Sequence, residues 1–140
     1  MVFKIWNRIQ GDLFRLAYNR AKRAIAAGFY LEAVALCESL ILNRIEVVLR
    51  QSAGVVYDRF SVGKALNGVD SHKVPLFDEE LFDETTSWVA SRNYLSHHFA
   101  RVEDDSKLTW RKRLFVARET AIQGLALANR WSRESRKHKQ

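Results

Sequence analysis

Helix breakers are scarce in this chain. One proline, Pro75, and six glycines stand among 140 residues. Between them apolar residues recur three and four apart, the spacing that gathers them on one face of a helix. The pattern predicts an all-α fold, an up-and-down bundle of four to five helices in a single domain spanning 1–140. A chain of this length buries a core without staples. The single cysteine, Cys37, excludes an internal disulfide and fits a reducing compartment.

Taken in order, Val2, Ile5, Trp6, Ile9 and Leu13 open an amphipathic helix. It is expected to continue to about Ala27 with a kink at Gly11, burying Leu13, Ala17, Ala21, Ala24 and Ile25, and Gly28 is suited to the position just past its end. A second helix over 30–51 carries two adjacent apolar stripes, Val34, Cys37, Ile41, Ile45 and Val48 beside Leu36, Leu40 and Val47. So wide an arc predicts a central helix with neighbours on several sides. Glu46 and Arg50 are spaced as a solvated pair, while Glu38 and Arg44 are either the same kind of surface charge or face a site. The segment 52–77 is less regular, with a short helix over 61–66 capped by Ser61. Gly63-Lys64 lacks the upstream glycine of a phosphate loop.

The stretch 78–101 reads as one helix, with Asp78 as N-cap and Glu79, Glu80, Asp83 and Glu84 in the first turns, where the helix dipole favours negative charge. Leu81, Trp88, Leu95 and Phe99 form its core stripe, and Arg92 falls on that stripe between Trp88 and Leu95. A charge there is costly unless it is paired, hydrogen-bonded or turned toward a ligand. A polar turn, Glu103-Asp104-Asp105-Ser106, leads into a last helix over 107–133. In that helix Ala117, Ala121, Gly124 and Ala128 make a small-residue ridge for close helix approach, flanked by Leu114, Ile122 and Leu125. The basic tail 130–140 is expected to fray, either solvated or in contact with phosphate.

The formal charge of +7 and pI near 9.9 favour polyanionic partners, RNA or DNA first. No membrane span is expected. Nor is a secretory signal, since Lys4, Asn7 and Arg8 interrupt the apolar start, so a cytoplasmic location is expected. No His or Cys cluster has ligand spacing, so no metal and no cofactor are expected. The acidic run 78–84 is better read as a dipole-stabilised helix start than as a cation site, and Cys37, set among aliphatics, as a buried inert thiol. What remains is Arg92, Asn93 and His97, with His98 beside it. Asn93 and His97, four apart, share a helix face, so the amide can orient the imidazole. An arginine to hold a phosphate, a histidine to move a proton and an amide to orient it make a minimal phosphodiester-cleaving set. Spacing alone is not specific, because Arg133 and His138 repeat it without the following asparagine.

At Arg92-Asn93-xxx-His97 the chain resembles the HEPN family, whose signature is an arginine, four to six residues and a histidine near the end of a late helix, usually with a polar residue after the arginine. His98 satisfies the longer spacing. The helix order agrees along most of the chain. The resemblance implies a small helical bundle acting as a homodimeric, metal-independent endoribonuclease on single-stranded RNA, a toxin or antiviral-defence effector with an antitoxin or a larger defence complex as partner. It implies that His97 assists attack of the ribose 2′-hydroxyl, that Arg92 stabilises the charged transition state and that Asn93 positions His97. One departure is Phe99, where a toxin branch of the family carries the tyrosine that its nucleotidyltransferase antitoxin modifies. The alternative is a catalytically silent helical dimer that binds nucleic acid or a protein. A nuclease predicts that Arg92, Asn93 and His97 converge with those of a second copy. A silent module predicts Arg92 tied into an internal salt bridge, for example to Glu38. In an unrelated bundle the spacing is coincidence.

Overall fold

The computed structural model describes residues 2–56, 61–98 and 107–138, in which there are five helices and no strand. They are α1 (Val2–Ala26), α2 (Tyr30–Ala53), α3 (Val62–Ser71), α4 (Leu81–His98) and α5 (Lys107–Lys137). The all-α bundle expected from the scarcity of breakers is what forms. Phe99 and the polar turn Glu103–Ser106 lie outside the described residues.

The central position expected for 30–51 belongs to α2, which packs against α1, α3 and α5 and buries Cys37, Ile41, Ile45, Val48 and Leu49 completely. The turn from α1 to α2 needs a left-handed residue, and Gly28 supplies it at φ 84°. Its N–H donates to Ile25 and that of Phe29 to Ala24, so the last carbonyls of α1 are satisfied as the chain reverses. Ser61 caps α3 as expected, its hydroxyl accepting from the Lys64 amide at 3.3 Å. That helix runs on to Ser71 with Val62, Ala65, Leu66 and Val69 buried, so it is longer than the stretch 61–66.

The small ridge on α5 is buried throughout, with Ala117, Ala121 and Ala128 at 0% exposure. It admits α2 so closely that a Cβ on Gly124 would stand 2.8 Å from the Cys37 Cβ and 3.0 Å from the Trp88 ring. The α4–α5 seam has polar anchors as well. The indole of Trp88 donates to the Thr120 carbonyl at 2.8 Å, and that of Trp131 to the Thr85 hydroxyl at 2.9 Å. Both rings thus keep their N–H satisfied while filling the core.

Three expectations are corrected. First, α1 passes through Gly11 without a break, and Leu13 is 55% exposed. The contact face of α1 keeps Ala17, Ala21, Ala24 and Ile25 as expected but takes Phe14 and Tyr18 in place of Leu13, which leaves Ile5, Ile9, Leu13 and Leu16 on the outside. Second, α4 does not begin directly after Asp78. The helix starts at Leu81, whose N–H donates to the Asp78 carbonyl, and the Asp78 carboxylate takes both Nε and Nη2 of Arg130 at 2.8 and 2.9 Å. Third, the tail does not fray at 130. Helix α5 continues to Lys137 because Trp131, Glu134 and Ser135 are buried there. The Glu134 carboxylate accepts from the backbone amides of Phe77 and Asp78 at 3.0 and 2.9 Å and pairs with His138 at 2.7 Å. A buried carboxylate with this many donors fixes the loop that leads into α4.

Candidate functional site

Helix α4 carries the candidate residues on its last two turns. Trp88 and Leu95 point into the core, at 2% exposure each. Arg92 sits between them at the edge of the buried stripe, where its charge needs a partner, and the structure supplies one from α2. Its Nε donates to Glu38 Oε2 at 2.6 Å, with the arginine side chain 35% and the glutamate 22% exposed. Glu38 is therefore paired with Arg92 and is not a solvated surface charge. A guanidinium pinned in this way loses the freedom that a long side chain otherwise keeps.

Asn93 does not orient His97. Its Oδ1 accepts from Arg92 Nη1 at 3.1 Å, and among the described residues no hydrogen bond joins it to the imidazole. The amide braces the arginine. His97 is exposed and has no hydrogen-bond or ion-pair partner among the described residues. At about 100° per residue it points roughly 140° round the helix from Arg92. The guanidinium reaches back to α2 and not toward the histidine. One protomer thus brings together Arg92, Asn93 and Glu38 and leaves His97 apart. His98 is the last residue of α4, and its side chain lies outside the described set.

The other candidates resolve as structural. Burial pushes the Cys37 thiol up to about 12, and Sγ donates to the Ala121 carbonyl at 3.6 Å, so it is an inert core group. Among the described residues no group of His, Cys, Asp or Glu could hold a metal ion. Within the acidic run, Asp78 and Glu84 both bind Arg130. The Arg130 hydrogen bonds hold the Asp78 carboxyl below its ordinary value against a smaller opposing effect of burial. Of the second Arg-x4-His pair, His138 is engaged by Glu134 and by the Ser52 hydroxyl at 2.8 Å. It ties the end of α5 to the end of α2. No helix among the described residues is long and apolar enough to cross a membrane.

Sequence reasoning missed Glu134 and the role of Arg44. A signal existed for the first: Leu127, Trp131, Glu134 and His138 keep helical spacing, so Glu134 lies on the core side of α5. Arg44 is half-buried, between two core residues of α2, Ile41 and Ile45. Its position predicts a buried guanidinium but not what it faces.

No family model, curated protein or solved structure matches this chain. The likeness to HEPN proteins therefore rests on Arg92-Asn93-xxx-His97 and the order of the helices.

Proposed function

We propose that this chain is a metal-independent endoribonuclease of the HEPN type, cytoplasmic, cleaving single-stranded RNA at a composite site made by two copies of itself, in the service of a toxin or antiviral-defence system. The observation that carries the reading is the exposed imidazole of His97 within two turns of a guanidinium fixed by Glu38 and Asn93. Because Arg92 and His97 face apart on one helix, a site that uses both draws them from different copies, which is why the reading requires a dimer. In such a cleft His97 takes the proton of a ribose 2′-hydroxyl as its oxygen bonds to the adjacent phosphorus. The bond from phosphorus to the 5′-oxygen breaks, that oxygen takes a proton from water, and the products are a 2′,3′-cyclic phosphate and a 5′-hydroxyl. Arg92 stabilises the added negative charge on the phosphorane, held in place beforehand by Glu38. The basic charge of the chain draws RNA toward it.

A second reading is favoured by the same salt bridge. Glu38 neutralises Arg92 and Asn93 is engaged with that arginine, as expected of a silent dimer that binds nucleic acid or a partner protein. Cleavage of end-labelled single-stranded RNA in EDTA separates the two, with wild type, His97→Ala, Arg92→Ala and Glu38→Gln compared as folded proteins. The nuclease reading expects cutting by wild type, loss in the first two variants and a decrease of about 10-fold or more in Glu38→Gln, the scale of a displaced catalytic group. Intact RNA with a folded, dimeric wild type gives the silent reading the lead. Cutting that survives both alanine variants removes these residues from the mechanism.

A further inference from the structure

A basic cleft of about 650 Å³ lies away from the α4 site, between α1, α2 and α5. Arg15 enters it from α1, Arg44 from α2, and Arg133 and Arg136 from α5, and no acidic residue lines it. Only Arg15 has a carboxylate partner, Asp12 at 3.2 Å, while among the described residues Arg44, Arg133 and Arg136 have none. Arg44 is built into the wall. Its guanidinium lies 4.4 Å from the centre of the Phe14 ring, and Nη2 reaches the Gln10 carbonyl at 3.5 Å. Its Nε is buried with no partner among the described residues, as is Oε1 of Gln51 in the same cleft. Burial, and then the charge of Arg136, push the Arg44 pKa down.

Arg44 of α2 and Arg133 and Arg136 of α5, lining one cleft without a carboxylate partner, repel one another, and a buried donor left unbonded costs free energy. Native proteins rarely carry both features in one place without a reason. An anion with several acceptor oxygens relieves the repulsion, since guanidinium groups grip phosphate oxygens in pairs. We propose that this cleft is a phosphate-binding site, with Arg44, Arg133 and Arg136 as the anion ligands and the Phe14 ring holding Arg44 in place. Its volume suits a ligand as large as a nucleotide. The phosphates come either from a small molecule or from an RNA backbone laid across the middle of α1 and the C-terminal end of α5. The site shares no residue with Arg92, Asn93 or His97, so the inference stands whether or not the chain cleaves RNA.

The test is calorimetric titration of the full chain with three probes: inorganic pyrophosphate, ATP without metal, and a single-stranded 12-mer RNA. Arg136→Ala, at an exposed position, keeps the fold intact, and Arg44→Gln removes the central charge while circular dichroism checks its folding. At least one probe should bind, with Kd raised 10-fold or more by Arg136→Ala and unchanged by Arg118→Ala, an exposed arginine of α5 outside the cleft. Binding of pyrophosphate and ATP identifies a small phosphorylated ligand, and binding of the 12-mer alone identifies the RNA backbone. If no probe binds, or if binding is indifferent to both Arg136→Ala and a folded Arg44→Gln, the cleft is not a phosphate site.

Discussion

Replacing Gly124 by alanine sets two effects of opposite sign against each other. In a helix interior the change normally stabilises by about 0.5–1 kcal/mol, because glycine carries the larger entropy loss. Here the added methyl would lie 2.8 Å from the Cβ of Cys37, 3.1 Å from its Sγ and 3.0 Å from the Trp88 ring. A Cβ is fixed to its backbone, so relief requires α5 to move away from Cys37 of α2 and Trp88 of α4. Overpacking of this kind costs about 1–3 kcal/mol. The cost exceeds the propensity gain, and Gly124→Ala is expected to destabilise by about 1–2 kcal/mol. Gly11→Ala provides the internal control, since nothing lies within 4 Å of a Cβ built at Gly11, also within a helix. That variant should gain about 0.5 kcal/mol or more. Urea unfolding followed by circular dichroism reads both, with unchanged m-values showing that the difference is one of stability. If Gly124→Ala is as stable as wild type, the close α2–α5 approach is not a property of the folded protein.

Three further outcomes follow from the same contacts. Trp131→Ala should cost about 3–5 kcal/mol in urea unfolding, as for other fully buried tryptophans, and a chain cut after 130 should lose its cooperative transition; a frayed tail would make both changes silent. Glu134→Ala strips the partners from the Phe77 and Asp78 amides and should destabilise by at least about 2 kcal/mol, with accelerated hydrogen exchange at those two amides as its local signature. Asp78 has a lowered pKa in the fold, so its contribution is present above the ordinary carboxylate value and fades as pH falls through the lower folded one. The stability gap between wild type and Asp78→Asn should therefore be open at pH 7 and shrink toward pH 3, and a gap constant with pH would show that Arg130 does not favour the ionised carboxylate.

The helices were legible because period and breaker agree. The double stripe of α2 and the small ridge of α5 each demand neighbours, and Gly28 and Ser61 carry the turn chemistry their positions need. What escaped was settled by tertiary contacts. The basic residues of the last helix masked a buried edge formed by Trp131, Glu134 and Ser135. The face of α1 could not be phased to one residue, because Leu13 and Phe14 both fit an apolar stripe and only packing against α2 chooses Phe14. At the site, the position of Arg92 on the apolar stripe announced that it must have a partner, and Glu38 is that partner. The partner of Asn93 was not readable, since its amide can serve the preceding arginine or a histidine one turn on, and the guanidinium lay nearer.

Cleavage chemistry gives the most direct measurement of the central proposal. Purified protein in EDTA is incubated with a labelled single-stranded RNA and with the same sequence as DNA, and the new ends are identified by mass. The account predicts cut RNA with 2′,3′-cyclic phosphate and 5′-hydroxyl ends, untouched DNA, and no products from His97→Ala. Cutting of the DNA, or RNA products bearing 5′-phosphates, would contradict attack by the ribose hydroxyl and with it the role assigned to His97.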